Sequence, residues 1–215
     1  EEIIVGDMAL EHSKIDSERV VQFVKLHMGE PWRREIRGHS YTPESISAII
    51  LRHLIQMAEP QLGPITSAVI TVPAFFNEKR RRATQQAGEL AGLKVLGTLN
   101  EPMASTLAFG VHRQEGEQTV LVYDLGGGTF DVTVVRISAG EICELATDGN
   151  RQLGGKDWDQ VLIDIAAEDF IARHGLDPRT DSQGAQDLQR ACEKAKRILS
   201  KKNRASVRIN VDGRD

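Results

Sequence analysis

The stretch TVLVYDLGGGTFDVTVVRI, residues 119–137, joins two apolar segments through a loop that contains three consecutive glycines. Residues 119–123 and 131–137 are rich in β-branched side chains, which predicts a strand on each side of the loop. The connection reads Asp124-Leu125-Gly126-Gly127-Gly128-Thr129-Phe130. It places acidic, hydroxyl and backbone N–H groups in one short turn, so it is the first candidate for chemistry.

The chemistry of this loop favours a phosphate ligand. A carboxylate at the end of an apolar strand, such as Asp124, is costly to bury unless a cation or hydrogen-bond donors meet it. Consecutive glycines permit positive φ angles and let backbone N–H groups approach an oxyanion closely. Together with Thr129 and Asp131, the loop offers what a magnesium-bound triphosphate requires. The alternative interpretation is a glycine-rich hairpin turn whose acids are simply solvated.

Two familiar nucleotide motifs are excluded by register. A Walker loop needs serine or threonine after Gly-Lys, and Asp157 stands there in this sequence. A dinucleotide fingerprint needs glycine three residues after Gly128, where Asp131 stands, and it should lead into a helix rather than a strand.

Predicted strands and helices alternate along the chain, which indicates the α/β class. Thr42 and Pro43 supply an N-cap and a first helical position, and Pro73 ends a short apolar run. A weak alternation predicts a hairpin formed by residues 20–25 and 33–41. The predicted strands cover residues 67–72, 94–99, 119–123 and 131–137, and the predicted helices cover residues 43–59, 77–91, 101–110, 157–174 and 187–200.

The composition is that of an ordinary globular protein, with 215 residues of which 40% are apolar and 27% charged. The net charge of −4 does not suggest nucleic acid or an anionic membrane as a partner. The longest uncharged stretch, residues 60–77, contains three prolines and cannot span a membrane. Cys143 and Cys192 form no C-x-x-C pair, which fits a reducing compartment, and each is predicted to be a small buried hydrophobe.

Two further groups of polar residues could face a ligand. On the last predicted helix, Glu193, Lys196, Arg197 and Ser200 gather opposite the apolar face. Composition alone favours a solvated face there, with a Glu193–Arg197 pair four residues apart. Glu101 lies at a strand-to-helix junction, where it either projects into a cleft or stabilises the start of the helix.

The remaining charged groups carry weaker signals. The basic run of residues 79–82 on a predicted helix is most simply a solvated face, although it could receive an acidic partner segment. The six histidines form no H-E-x-x-H pattern and no Cys/His cluster, which disfavours structural zinc.

Several separate motifs together resemble one known family. They are ITVPAFFN at 70–77, AG at 87–88 with AGL at 91–93, NEP at 100–102, DLGGGTFD at 124–131, LGG at 153–155 with Asp157 and Asp159, and ACEKAKRILS at 191–200. In this order and spacing they resemble the nucleotide-binding domain of the DnaK, or 70-kDa heat-shock protein, chaperone family. The resemblance is strong over residues 41–200 and weak over residues 1–40.

The resemblance implies an actin-like (ribonuclease H-like) ATPase fold, in which two α/β lobes surround a cleft with ATP at its base. On this interpretation residues 1–114 are part of lobe one, with an outer subdomain at 1–41 and an inner one at 42–114. Residues 115–215 are part of lobe two, with its inner subdomain at 115–153 and the start of the outer one at 154–215. The fold is then incomplete.

The resemblance also assigns roles to individual residues. It places Glu101, Asp124, Thr129 and Asp131 in catalysis, with Asp124 and Asp131 serving magnesium and potassium and Glu101 helping to place the attacking water. It assigns nucleotide contacts to Gly126, Gly127, Gly128, Thr129, Gly155, Glu193, Lys196, Arg197 and Ser200. Pro73 and Arg81 resemble positions that carry the nucleotide state toward the interdomain linker and the peptide-binding domain.

Some features of the family are absent or altered. Lys156 stands where many relatives have an acid, and Phe76 follows Phe75 where Tyr-Phe is common. The sequence contains neither the Asp-Leu-Gly-Thr-Thr phosphate loop of lobe one nor the final Gly-Gly-x-[ST]-Arg nucleotide loop. The lysine-bearing segment that the family has before the position of Glu1 is also absent from it. We therefore expect a fragment that is catalytically incompetent by itself, because phosphoryl transfer needs positioning groups from both sides. The strand at residues 68–72 should have an edge with no strand partner in this chain.

The implied function is that of a cytoplasmic molecular chaperone ATPase, in which ATP binding and hydrolysis drive binding and release of unfolded peptides. ATP or ADP, magnesium and potassium are the implied cofactors. The implied partners are unfolded peptides, held by an absent peptide-binding domain, a J-domain cochaperone and a nucleotide-exchange factor. The alternatives are an actin-fold sugar or acetate kinase, and a non-catalytic interaction module of the same fold.

Overall fold

The computed structural model describes residues 3–13, 16–109, 116–138, 141–211 and 213–214. The chain divides into two compact units. The central unit is Gln22–Gln152, and the terminal unit combines Glu1–Val21 with Leu153–Asp215. The mixture of helices and strands confirms the predicted α/β class. Within the described residues, no helix combines the length and apolarity needed to cross a membrane.

The central unit begins with a short 3-10 helix, Val24–His27, followed by a small hairpin of β1 (Arg34–Ile36) and β2 (His39–Tyr41). The predicted hairpin of residues 20–25 with 33–41 is therefore wrong. A two-residue turn closes the observed hairpin, because Arg37 and Gly38 both adopt left-handed backbone angles, with φ of 50° and 77°. Residues 24–27 form the 3-10 helix instead of pairing as a strand.

A parallel pair of strands forms the next layer of the central unit. Helix α2 (Pro43–Leu62) starts at the Thr42 cap and leads to β3 (Ser67–Val72), α3 (Glu78–Leu90) and β4 (Lys94–Asn100). Strands β3 and β4 pair in parallel, and the α3 crossover packs on them so closely that a Cβ on Gly88 would lie 2.5 Å from the Val95 side chain and 2.7 Å from that of Ile70. Among the described residues β4 is the only strand beside β3, which confirms the expected unpaired edge.

The last part of the central unit is an antiparallel sheet against which α4 (Glu101–Ala108) packs. The sheet has the order β5 (Gln118–Leu125), β6 (Phe130–Ser138) and β7 (Glu141–Asn150). Strand β7 was not predicted, because nearly all of its residues are exposed and its sequence shows no clear alternation. Cys143 on β7 is exposed, so its predicted burial is wrong. The predicted end of α4 at Gly110 lies outside the described residues.

The described residues of the terminal unit form three α-helices: α1 (Asp7–His12), α5 (Gly155–His174) and α6 (Ser182–Leu199). A 3-10 turn, Ser17–Arg19, follows α1. Helices α5 and α6 pack through Ala167, Leu188 and Cys192, which are fully buried. The Asp181 side chain caps α6 through the Gly184 N–H at 2.7 Å, so the helix starts five residues before the predicted boundary at 187.

Candidate functional site

The two predicted carboxylates, Asp124 and Asp131, are direct partners across strands β5 and β6. Opposed residues of an antiparallel pair project from the same face of the sheet as close neighbours. Asp131 is buried, with 4% of its surface exposed, and Asp124 is half-buried. The pair lies immediately beside the glycine-rich turn, as the sequence predicted.

The turn between β5 and β6 is closed by the Gly126 N–H, which donates to the Thr129 carbonyl at 2.9 Å. None of its three glycines has a positive φ, so the turn does not use the left-handed backbone angles that glycine permits. Because glycine has no side chain, these residues instead affect the space around the turn. A Cβ on Gly127 would meet no atom within 4 Å, whereas one on Gly128 would touch the Leu26 side chain at 3.3 Å. The backbone of the turn is therefore open at Gly127 and packs against Leu26 at Gly128.

Glu101 is brought toward these acids by the helix that it begins. Strand β4 ends at Asn100, and α4 packs on strands β5 and β6. The Glu101 side chain is 21% exposed, and its Oε1 lies 2.5 Å from Nζ of Lys25. The Glu101 charge acts on Asp131, which places Glu101 near the carboxylate pair. Sequence reasoning missed Lys25, since a contact across 76 residues leaves no local pattern.

The electrostatics of the central unit disfavour a charged Asp131. Burial is the largest cause that raises the pKa of this carboxyl to about 6, and the negative charges of Asp124 and Glu101 add to it. Lys25 and Arg151 act in the opposite direction. A cation or a proton therefore stabilises this group of acids.

We expect Asp131→Asn to be more stable than the wild type at pH 8, by about 1–2 kcal/mol. The folded pKa of Asp131 is about 6 against an ordinary value of 3.8. Between these two pH values the folded state keeps a proton on Asp131 that the unfolded state has lost. The free energy of unfolding of the wild type therefore falls as the pH rises through this window. Urea unfolding of both proteins from pH 4 to pH 8 measures the difference, which should vanish near pH 4. A difference that does not depend on pH would contradict the assignment.

The carboxylate pair fits magnesium that arrives with a phosphate ligand. Among the described residues, no group of three or more His, Cys, Asp or Glu side chains is placed to hold a metal ion. Magnesium commonly binds through one or two carboxylates together with water and substrate phosphates. Asp124 and Asp131 supply this number of carboxylates beside an open backbone turn.

Pro73 directly follows β3, and Arg81 of α3 braces the turn that comes after it. Pro73 is fully buried, and the guanidinium of Arg81 donates to the carbonyls of Ala74 and Phe76 at 3.2 and 2.8 Å. Arg81 also donates to Oδ1 of Asn100 at 2.7 Å. Arg81 thus links the turn after β3 to the residue that precedes Glu101.

The neighbouring arginines of the basic run have partners within the chain. Arg80 pairs with Glu30 at 2.9 Å, and Arg82 pairs with Glu78 at 2.8 Å. Arg80 and Arg82 are therefore paired within the chain, as the solvated-face interpretation anticipated.

The polar face of α6 lies in the terminal unit and has two parts. Arg197 pairs with Glu193 at 2.6 Å, four residues away, as the solvated-face interpretation anticipated. Lys196 instead turns toward α5, where its Nζ donates to Oδ2 of Asp159 at 2.7 Å and to the Gly155 carbonyl at 2.8 Å. The structure therefore brings Lys196 and Gly155 together.

Two further details concern Asp159 on α5 and Ser200 at the end of α6. Oδ1 of Asp159 is buried and has no hydrogen-bond partner among the described residues. Burial, with a smaller contribution from Asp159, raises the pKa of the Cys192 thiol to about 11, so Cys192 is a protonated core residue. The Ser200 hydroxyl donates back to the Lys196 carbonyl at 3.4 Å. Sequence reasoning placed Asp159 in a motif but did not identify its pairing with Lys196.

The predicted site residues are thus divided between the two units. Glu101, Asp124, the 126–129 turn and Asp131 lie together in the central unit. Gly155, Glu193, Lys196, Arg197 and Ser200 lie in the terminal unit. The first group defines an α/β protein with a candidate phosphate site on a glycine-rich turn.

Comparison with known proteins agrees with this class. A family model described as Hsp70 protein matches residues 7–215, and the chain belongs to the Hsp70 family. Similar proteins include the chaperone protein DnaK of Thermotoga neapolitana and that of Thermotoga maritima, each 48% identical over 209 residues, and that of Thermosipho africanus, 46% identical. The matches cover 97% of this chain but 35% of each relative. The resemblance inferred from the motifs is confirmed, and the chain spans about a third of the length of these relatives.

Proposed function

We propose that this chain is part of the ATPase domain of a molecular chaperone, in which ATP binding and hydrolysis drive binding and release of unfolded peptides. The observation that carries the proposal is the opposed pair Asp124 and Asp131 beside the open 126–129 turn, in a member of the Hsp70 family. The relatives' name, chaperone protein DnaK, supports the chaperone role. ATP or ADP, magnesium and potassium are the proposed cofactors.

In the central unit, the backbone N–H groups of Gly127 and Gly128 and the Thr129 hydroxyl donate to the phosphate oxygens. Asp124 and Asp131 would hold the magnesium ion with its water shell, and the charge of the ion would offset the mutual repulsion of the acids. When bound, magnesium neutralises charge that develops on the phosphates during transfer. Glu101 accepts a hydrogen bond from the attacking water and so orients it.

In the terminal unit, the exposed face of α6 contacts the nucleoside. The guanidinium of Arg197 is 77% exposed and planar, so it can stack against a base, and Glu193 offers a carboxylate to the ribose hydroxyls. Lys196 is held near Gly155 at the start of α5, where its remaining N–H can donate to the sugar or to a phosphate. Ser200 lies one turn further along the same helix.

We propose the actin-like, two-lobed fold for the parent protein, with 1–114 as part of lobe one and 115–215 as part of lobe two. Pro73 and Arg81 carry the nucleotide state outward, because Arg81 joins the turn after β3 to Asn100, next to Glu101. The proposed partners are unfolded peptides, a J-domain cochaperone and a nucleotide-exchange factor, and the proposed compartment is the cytoplasm. A sugar or acetate kinase of the same fold and a non-catalytic interaction module are the alternatives.

The test is single-turnover ATP hydrolysis by the full-length protein that contains this chain, with and without an unfolded peptide. We expect magnesium-dependent hydrolysis and nucleotide-controlled release of the peptide. Transfer of phosphate to a small metabolite would favour the kinase alternative, and nucleotide binding without turnover would favour the interaction module.

The 215-residue chain alone should hydrolyse ATP no faster than background, because it spans only 35% of its relatives' length. Its titration with ADP and magnesium should show weak binding. Robust magnesium-dependent turnover by the isolated chain would contradict this expectation.

A further inference from the structure

Arg151 places a positive charge beside the carboxylate pair of the central unit. Strand β7 ends at Asn150, which is the register partner of Phe130, and Gly149 before it is the partner of Asp131. Because Phe130 directly follows the glycine-rich turn, Arg151 and that turn lie at the same end of the sheet. The charge of Arg151 acts on Asp131, so the guanidinium lies within electrostatic range of that carboxylate.

The Arg151 guanidinium is held by the aromatic ring of Phe75. Its central carbon lies 5.0 Å from the centroid of that ring. The ring is itself fixed, because Phe75 packs against the buried core cluster that contains Val72 and meets the Phe76 ring edge-on, with centroids 6.0 Å apart. A guanidinium that stacks on an aromatic face keeps the N–H groups at its edge available for other partners. The stacking therefore restricts the orientation of Arg151 without occupying its donors.

The exposed Arg151 side chain forms neither a hydrogen bond nor an ion pair within the part of the chain that the structure describes. The three arginines of α3 differ, since Arg80 and Arg82 pair with carboxylates and Arg81 donates to backbone carbonyls. A counter-ion that only neutralises the acids would pair directly with one of them. Arg151 instead stacks on Phe75, and its donors stay open to a ligand.

We propose that Arg151 binds the phosphate chain of the nucleotide and is a further ligand-contacting residue of the candidate site. Arginine presents its donors in a planar fork that matches two oxygens of one phosphate group. The 126–129 turn offers backbone N–H groups at the same end of the sheet, so both can meet one phosphate chain. This inference rests on the proposed function, in which the turn and the acids hold a magnesium-bound phosphate.

The first test measures the affinities of the full-length protein for ADP and for adenosine by calorimetry, with magnesium present. Arg151→Gln should weaken ADP binding about tenfold, the size of one charge-assisted hydrogen bond, while adenosine binding stays within about twofold. Arg136→Gln is the matched control, because it removes an exposed arginine near the opposite end of β6, and it should match the wild type. Unchanged ADP affinity in Arg151→Gln would overturn the proposal, as would an equal loss for adenosine.

A second set of variants separates a phosphate contact from the effect of charge alone. Arg151→Lys keeps the charge but loses the planar fork, and Phe75→Leu keeps the guanidinium but removes the ring that orients it. Each should weaken ADP binding about threefold, whereas Phe75→Tyr, which keeps an aromatic face, should stay within about twofold of the wild type. If Arg151→Lys and Phe75→Leu both bound ADP as the wild type does, charge alone would explain the loss in Arg151→Gln and the proposed contact would be wrong.

The third measurement needs no nucleotide and uses the 215-residue chain with pyrophosphate and magnesium. In nitrogen-15 spectra, the side-chain Nε–H signal of Arg151 should shift as pyrophosphate is added, whereas that of Arg136 should not. Absence of a shift at Arg151, or an equal shift at both arginines, would overturn the proposal. If the full-length protein does not hydrolyse ATP but this shift is seen, the proposed function fails while the phosphate contact stands.

Discussion

Replacing Gly149 by alanine is expected to lower the free energy of unfolding of the central unit by about 3 kcal/mol or more. A Cβ at this position would lie 2.1 Å from the Phe130 carbonyl oxygen and 3.0 Å from the Asp131 Cα. Both atoms belong to the backbone of the adjacent strand, so no side chain can move aside and the two strands must separate. Because Gly149 is the partner of Asp131 in the β6–β7 register, the distortion falls directly at the candidate site.

Urea unfolding followed by circular dichroism measures this loss of stability. Gly97→Ala is the matched control, because Gly97 also lies in a strand but a Cβ there would meet no atom within 4 Å. We expect the control to stay within about 0.5 kcal/mol of the wild type. Equal stability of the two alanine variants would show that β6 and β7 do not approach each other as closely as described.

The sequence predicted most elements whose burial is periodic. Helices α2, α3 and α5 and strands β3 to β6 appear within a few residues of the expected positions, because one face of each is apolar and the ends carry caps or breakers. Strand β7 was missed since it lies at the sheet edge and its exposed residues need no apolar alternation. The first hairpin was misplaced because its turn, Arg37-Gly38, depends on backbone angles that the weak apolar pattern does not reveal.

The candidate site was predictable where its residues are close in sequence. Asp124, the glycines and Asp131 lie within one hairpin, so their spacing already places both acids beside the turn. Lys25 and Gly149 were missed, because their roles arise from contacts with Glu101 and Phe130 that only the folded chain creates. Sequence periodicity likewise predicted only that Lys196 lies on the polar face of α6. Its pairing with Asp159 depends on the packing of α6 against α5, which the periodicity does not reveal.

The group of acids in the central unit opposes stability, as the proposed cation site would require. Asp131 is buried beside two other carboxylates, and its pKa of about 6 records how poorly the fold tolerates the charge. A neutral residue would pack there with less repulsion. Functional sites commonly carry such locally unfavourable residues, and the stability–activity trade-off at Asp131 is consistent with a binding role.

Asp124→Asn is expected to reduce single-turnover ATP hydrolysis by the full-length protein about 100-fold or more. The amide keeps the shape of the side chain but removes half of the carboxylate pair that would hold magnesium beside the phosphates. ADP affinity, measured by calorimetry, should fall in the presence of magnesium and should match the wild type when magnesium is removed with a chelator. This dependence separates a metal-holding role from a direct contact with the nucleotide.

Glu89→Gln provides the matched control, since it removes an exposed carboxylate from α3 without touching the site. It should leave both hydrolysis and magnesium-dependent affinity unchanged. If Asp124→Asn weakened ADP binding equally with and without magnesium, Asp124 would contact the nucleotide itself and the proposed metal role would be wrong. If hydrolysis were unaffected, the solvated-turn interpretation of this loop would be favoured. Since Asp124 is only half-buried, its replacement should change stability less than that of Asp131, which keeps the functional measurement interpretable.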